Sequence, residues 1–160
     1  MVGQRDRRIV GCGMEIFTIG FTKTTAHGFF DRLRKAEVQR VLDVRLNNSS
    51  QLAGFAKAAD LAYFLDALLG ASYAHEPLLA PTSELMSAGR TAKTARQWGS
   101  FERDFLKLMK ARAVQDVLTQ SAFQQPTALL CSEATAEHCH RRLITDYLSQ
   151  QWPDVSATHL

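Results

Sequence analysis

Short apolar runs alternate with longer amphipathic stretches along this chain. Four apolar runs have the length that is typical of buried strands. They cover residues 15–21, 40–46, 71–75 and 127–131, and residues 155–160 could add a last strand. Four further stretches carry apolar residues at helical spacing. These are residues 22–36, 60–69, 98–118 and 135–150. The alternation predicts an α/β fold with a mostly parallel sheet of four to five strands flanked by helices.

Capping signals suggest where the helices begin and end. Asp60 is predicted as the N-cap of the helix over residues 60–69, and Gly70 follows where a left-handed backbone often ends a helix. Thr135 is predicted to cap the last helix. Residues 78–97 are polar and rich in alanine and threonine, which predicts a long irregular loop that could include a helical turn. Within it, residues 82–97 are expected to be the most mobile part and to act as a lid.

Composition places the chain among globular proteins. The 160 residues fit one domain, and 46% are hydrophobic and 22% charged. Residues 1–13 lack the apolar segment of a signal peptide, so we expect a disordered leader followed by a single domain over residues 14–160, with Met14 as an alternative start. Three cysteines without a disulfide framework favour a reducing, cytoplasmic location. No apolar run approaches the ~20 residues of a membrane span.

Groups able to ionise, to bind a metal or to hold an anion lie at the carboxyl ends of three of the four predicted strands. They are Asp43, Arg45 and Asn47 at the end of the second strand, His75 at the end of the third, and Cys131 and Glu133 at the end of the fourth. Ligands of open parallel sheets bind at the carboxyl ends of strands. We therefore expect catalytic roles for Cys131, Glu133, His75 and Asp43, and anion binding by Arg45 and Asn47. Asp43 and Arg45 lie on the same side of their strand, so a structural ion pair is an equal alternative.

The densest group of such residues lies between Cys131 and Arg142. A helix N-terminus in this segment favours anions, which makes His140, Arg141 and Arg142 candidate anion ligands. A thiol beside these arginines could have a lowered pKa and act as a nucleophile. Alternatively, Cys131 and Cys139 together with His140 or His75 offer the ligands that zinc or iron prefers.

Two observations weaken the metal interpretation of this segment. The Cys-x7-Cys-His spacing is not a standard zinc pattern. Cys139 also lies on the apolar stripe of the predicted helix, so packing against the sheet explains it equally well. Cys131 closes a strand and is therefore the better candidate for a reactive or ligating thiol. We expect Arg45, His75, Glu133 and Arg141 to face one shared cleft, because the carboxyl ends of parallel strands converge on one edge.

Several segments in this order resemble the Domain of Unknown Function 488 family. They are residues 17–22 (FTIGFT), 42–45 (LDVR) with Asn47 and Asn48, 51–55 (QLAGF), 75–81 (HEPLLAP), and 131–133 (CSE) with 138–142 (HCHRR). The resemblance runs from about Met14 to the C-terminal His159-Leu160. It implies a compact three-layer α/β domain, and it brings no established activity.

Three classes of function are compatible with these features. The first is an enzyme, with or without a metal, that acts on a small anionic or nucleotide-like substrate. The second is a nucleic-acid-associated module with Trp98 or Phe101 available for stacking. Its basic face would consist of Arg90, Lys93, Arg96, Arg103, Lys107, Lys110 and Arg112. Acidic residues interleave with these bases, and the net charge of +3 is mild. The third is a non-catalytic domain that senses a ligand.

Overall fold

A computed structural model describes residues 13–49 and 53–160. Residues 1–12 of the predicted leader, and residues 51 and 52 of one family-like segment, lie outside the described residues. The described part forms an α/β fold around a sheet of five parallel strands. They are β1 (Met14–Gly20), β2 (Arg40–Asp43), β3 (Ser72–His75), β4 (Thr127–Cys131) and β5 (Val155–His159). The spatial order is β3-β2-β4-β1-β5, and every neighbouring pair is parallel. The predicted fold class is confirmed.

Six α-helices connect these strands in the described part of the chain. They are α1 (Ala26–Lys35), α2 (Ala58–Leu69), α3 (Ser83–Thr91), α4 (Ala95–Ala111), α5 (Val114–Val117) and α6 (His140–Gln151). None of the described helices combines the length and the apolar composition that crossing a membrane requires.

The sheet separates two apolar cores, which gives the fold its three layers. On one face, the apolar stripes of α1 and α2 pack on Val41 and Leu130. On the other face, α4 and α6 pack on Leu42 and Leu129. Successive residues of a strand point to opposite faces, and each face is covered by helices. This explains why all five residues of β4 are buried.

The order of the strands creates a crevice at the carboxyl ends of β2 and β4. The chain moves in one direction across the sheet from β1 to β2 and β3, and in the other direction to β4 and β5. With right-handed crossovers, the two directions place their helices on opposite faces of the sheet. The helices that follow the adjacent strands β2 and β4 therefore diverge. In open parallel sheets, such a point is where ligands bind.

The start of the last helix was predicted wrongly. Helix α6 begins at His140, and its N-cap is Cys139, which has an extended backbone (φ −139°, ψ 139°). The residues after Thr135 instead form an irregular loop that buries Ala136 and Cys139 in the core. Burial of these side chains outweighs the modest preference of threonine for a cap position. Helix α2 likewise starts earlier than predicted, with Lys57 as N-cap in place of Asp60, whereas Gly70 ends it in the predicted left-handed conformation.

The prediction of one long loop over residues 78–97 is also wrong. The segment contains α3 and the first residues of α4. No side chain of α3, which is described in full, is buried, and few of its residues are large and apolar, so its sequence resembles that of a polar loop. The predicted helix over residues 98–118 begins at Ala95 and is interrupted at Ala113, whose φ of 47° ends the regular backbone before α5.

Candidate functional site

A cavity of about 310 Å³ occupies the crevice at the carboxyl ends of β2 and β4. Residues at and just after the ends of the two strands form its floor, including Arg45, Asn47, Cys131 and Glu133. The segment that enters α6 contributes one wall. Helices α3 and α4 contribute the opposite wall with Arg90, Trp98 and Phe101. The cavity thus lies where the topology of the sheet predicts a ligand site.

Two thiols and an imidazole converge on this cavity. The Sγ atoms of Cys131 and Cys139 and a ring nitrogen of His140 all lie within 4.8 Å of one another, and all three residues are buried. The Sγ atom of Cys131 is 3.5 Å from Nδ1 of His140. The other ring nitrogen, Nε2, lies 2.9 Å from the carbonyl oxygen of Val44. A carbonyl only accepts hydrogen bonds, so Nε2 carries a proton, and the tautomer with its proton on Nε2 directs the lone pair of Nδ1 towards Cys131.

The environment of the two thiols differentiates them. Hydrogen bonding from the Cys139 thiol is the main cause that lowers the pKa of Cys131. The backbone N–H groups of Ser132 and Glu133 and the charge of Arg141 act in the same direction, against the effect of burial. Interaction with Cys131, followed by burial, raises the pKa of Cys139. In the metal-free protein, Cys131 therefore ionises first and Cys139 retains its proton.

Arg141 supports the loop between β4 and α6 by a hydrogen bond to its backbone. Its side chain is only 1% exposed, and Nη1 donates a hydrogen bond of 2.5 Å to the carbonyl oxygen of Glu133. Its Nε has no hydrogen-bond partner among the described residues. Gly20 at the end of β1 leaves room for this contact, because a Cβ atom at that position would lie 1.7 Å from the same carbonyl oxygen. Arg141 thus supports the loop and is absent from the described wall of the cavity.

Asp43 and Arg45 form a buried, bidentate ion pair. The Nε and Nη2 atoms of Arg45 donate to the two carboxylate oxygens of Asp43 at 2.8 and 2.7 Å. Nη2 also donates to the carbonyl oxygen of Ala56, and Tyr73 donates its hydroxyl to Asp43 at 2.6 Å. Burial, together with this hydrogen bond to Asp43, raises the pKa of Tyr73. These contacts support the ion-pair interpretation of Asp43, whereas Arg45 also lines the cavity.

The remaining predicted residues divide between the cavity and the surface. Asn47 and Glu133 are exposed and line the cavity. Nε2 of His75 lies 2.8 Å from the carbonyl oxygen of Arg45, and His75 is not among the described wall residues. Arg142 forms ion pairs with Glu102 and Asp146 on the α4–α6 surface, also outside that wall.

The structure therefore brings together six of the predicted residues. They are Arg45, Asn47, Cys131, Glu133, Cys139 and His140. It leaves Asp43, His75, Arg141 and Arg142 outside the described wall.

Sequence reasoning missed the aromatic wall as part of the cavity. Trp98 stacks on Phe101 with ring centroids 4.9 Å apart. It also forms an edge-to-face contact with His138, with ring centroids 5.0 Å apart. Phe101 belongs to the core and is buried, so it offers no face for stacking a base. The sequence identified Trp98 and Phe101 as helical residues, with Phe101 facing inward, or as stacking partners of a nucleic acid, and not as the wall of this cavity. Their position beside the cavity depends on the packing of α4 against α6.

Two members of the predicted basic face are already engaged within the protein. Arg112 donates hydrogen bonds to the carbonyl oxygens of Leu78 and Ala80 at 2.7 and 2.6 Å. Lys107 forms an ion pair with Asp104 at 3.5 Å. These contacts engage the donor groups of Arg112 and pair Lys107 with a carboxylate, so both residues are less available to a nucleic acid.

Comparison with protein families gives one match. The family described as Domain of unknown function DUF488 matches residues 25–148, which is more than half of the chain. The matched span contains β2, β3 and β4 and includes Cys131, Cys139 and His140. Comparisons with curated proteins and with solved structures found no significant match.

Proposed function

This chain belongs to the Domain of unknown function DUF488 family, and we propose that it is an enzyme acting on a small anionic molecule. The molecule binds in the cavity at the carboxyl ends of β2 and β4. The reactive groups are those of Cys131, Cys139 and His140 at the cavity wall. The observation that carries this proposal is the position of a thiol–imidazole cluster in the crevice that the strand order creates.

The dimensions of the cavity favour a small ligand. Its volume of about 310 Å³ lies at the lower end of the range of about 300–1,000 Å³ that is usual for small-molecule sites. Trp98 and Phe101 give one side an apolar, aromatic lining. A ligand with a compact planar or apolar body and one charged group fits this combination, and nucleotide-like molecules belong to that class.

The polar groups of the cavity favour a negative charge on the ligand. Arg45 uses Nε and Nη2 on Asp43 and Ala56, so Nη1 is the guanidinium nitrogen left for a ligand. Arg90 is exposed at the rim and forms no ion pair with the described carboxylates. The Asn47 side chain adds a further hydrogen-bond donor. Together they form a donor-rich end of the kind that binds carboxylate or phosphate groups.

Glu133 is the cavity residue best suited to transfer protons. Its carboxylate is exposed and lines the cavity, and Glu133 lies two residues after Cys131 in the same loop. A carboxylate in that position can exchange protons with a bound ligand or with water. We therefore assign Glu133 the role of general acid or base.

Calorimetric titration with inorganic phosphate, adenosine 5′-monophosphate and adenosine tests the proposal. We expect the two anions to bind and neutral adenosine to bind much more weakly. Arg90→Ala should weaken anion binding about 10- to 150-fold, because a hydrogen bond to a charged group contributes about 1.5–3 kcal/mol. Arg96→Ala is the matched control, since Arg96 is an exposed arginine of α4 outside the described wall.

Two outcomes would contradict the proposal. One is that neither anion binds in the millimolar range. The other is that Arg90→Ala and Arg96→Ala weaken binding equally, which would indicate general charge attraction. Salt-sensitive binding of an oligonucleotide without binding of the small anions would favour the nucleic-acid module instead.

A further inference from the structure

We infer that Cys131, Cys139 and His140 form a binding site for one zinc ion whose remaining coordination position opens into the cavity. This inference deepens the proposed function and rests on it, because the ion is the group that would act on the bound anion. The ligands are the two thiolates and Nδ1 of His140. This is a Cys₂His donor set, which zinc uses in catalytic sites where a water or a substrate takes the fourth position.

The spacing of the three donors fits tetrahedral zinc. Zinc–sulfur bonds of about 2.3 Å and zinc–nitrogen bonds of about 2.0–2.1 Å place a sulfur and a nitrogen ligand roughly 3.5 Å apart at a tetrahedral angle. The Sγ of Cys131 and Nδ1 of His140 are 3.5 Å apart. The third donor, Sγ of Cys139, lies within 4.8 Å of both. Small side-chain rotations bring all three donors into contact with one ion.

The orientation of His140 is set by a contact on the far side of its ring. The hydrogen bond from Nε2 to the carbonyl oxygen of Val44 is 2.9 Å long. It fixes the tautomer in which Nδ1 is free to bind a metal, which is the role such partners play in metal sites. A histidine that only filled space in the core would not need its free nitrogen directed at two thiols. The Val44 contact therefore favours ligation.

Charge balance also favours a divalent ion. Binding zinc requires both cysteines as thiolates, and their two negative charges compensate the ion. Nη1 of Arg141 lies 4.0 Å from Sγ of Cys139. This positive charge stabilises negative charge on the sulfurs, so the buried cluster tolerates two thiolates when the ion is present.

All three ligand residues line the cavity, although Cys131 is only 5% and Cys139 only 2% exposed. An ion held between their donor atoms has three protein ligands, and the cavity is the side from which a fourth can approach. A water molecule or an oxygen of the anionic ligand would take that position. The structure thus points to a catalytic type of site, because structural zinc sites use four protein ligands.

The inference is tested by first removing bound metal from the full-length, reduced protein with a chelator and then titrating the protein with zinc. We expect one zinc ion per chain by elemental analysis. Cobalt substitution should produce thiolate-to-cobalt charge-transfer absorption. Zinc affinity should fall in each of the variants Cys131→Ser, Cys139→Ser and His140→Gln. The decrease should exceed the roughly 10–100-fold loss that is typical when a residue that only hydrogen-bonds to a metal ligand is replaced. His138→Gln is the matched control, because His138 lines the cavity outside the cluster and should leave affinity unchanged.

Several results would overturn the inference. They are absence of the cobalt charge-transfer band in the wild-type protein, equal loss of affinity in His138→Gln, or a Cys131–Cys139 disulfide in protein purified under mild reduction. The cobalt band is measured on the wild type, so it remains decisive if a variant fails to fold. Failure of the proposed function is distinguishable, because Arg90→Ala should lose anion binding while keeping zinc. Loss of zinc binding with intact anion binding would remove only the metal site.

Discussion

Replacing Gly20 by alanine would place a Cβ atom against the loop that follows β4. The new atom would lie 1.7 Å from the carbonyl oxygen of Glu133 and 2.6 Å from Nη1 of Arg141. Real Cβ contacts with such atoms stay beyond 3.0 Å, so the Glu133 carbonyl has to retreat by more than about 1 Å. Because this contact is to backbone, a change of side-chain rotamer cannot relieve it.

The cost of this substitution follows from two contributions. Overpacking of a well-filled region costs about 1–3 kcal/mol. Displacing the Glu133 carbonyl also breaks its hydrogen bond from Arg141, and a hydrogen bond to a charged group contributes about 1.5–3 kcal/mol. We therefore expect Gly20→Ala to lower the free energy of unfolding by about 3–5 kcal/mol. The loop begins immediately after Cys131, so zinc affinity should fall as well.

Urea unfolding with a common m-value measures this change. Gly54→Ala is the control, because no described atom lies within 4 Å of a Cβ placed on Gly54. It should change the free energy of unfolding by no more than about 0.5 kcal/mol. A Gly20→Ala variant within about 1 kcal/mol of the wild type would refute the reasoning, since the loop would then move without breaking a valuable contact.

Three further predictions concern other parts of the fold. Burial raises the pKa of Tyr73 in the folded protein. The stability that the protonated Tyr73 hydroxyl contributes is therefore fully present below the pKa of about 10 that tyrosine has in the unfolded chain, and it declines as the pH rises above that value. The urea midpoint of Tyr73→Phe should therefore fall less between about pH 9 and pH 10.5 than the urea midpoint of the wild type. In metal-free protein, iodoacetamide should modify Cys131 before Cys139, as peptide mass analysis would show; faster labelling of Cys139 would reverse the assignment. Residues 82–97 should exchange amide hydrogens faster than the other helical segments, because α3 buries no side chain, and slow exchange there would exclude a lid.

The central strands β2 and β4 could be predicted because they are short and buried on both faces. A run such as residues 127–131 is apolar at nearly every position, which fits a central parallel strand and little else at that length. Helices with a wide apolar stripe, such as α1 and α2, were equally visible. The start of α6 was not visible, because the loop before it depends on contacts that residues distant in sequence make with Ala136 and Cys139.

Helix α3 shows a limit of periodicity as a signal. It is short, has Leu85 and Met86 as its large apolar side chains and lies on α4 without a buried residue, so its sequence resembles that of a polar loop. The start of α4 carried a better signal, since Thr94 and Gln97 form a capping box that the sequence spacing already suggests. Weighting such local capping pairs above apolar content would have placed the start of α4.

The sequence predicted which residues belong to the candidate site better than it predicted how their side chains are arranged. The rule for strand ends selected Arg45, Asn47 and Cys131 because the carboxyl ends of parallel strands converge. The spacing of Cys131 and His140, nine residues apart, gives no reason to expect their side chains 3.5 Å apart. They meet because the intervening loop folds back on the end of β1, where Gly20 and Arg141 hold it.

The proposed zinc ion is held by Cys131, Cys139 and His140 at the wall of the cavity. X-ray absorption at the zinc edge of the zinc-loaded protein identifies the ligands of this ion. We predict two sulfur neighbours at about 2.3 Å and two lighter neighbours at about 2.0–2.1 Å. Addition of inorganic phosphate should change only the lighter neighbours. A first coordination shell of nitrogen and oxygen alone would exclude zinc binding by Cys131 and Cys139, because the ion would then be bound elsewhere on the protein.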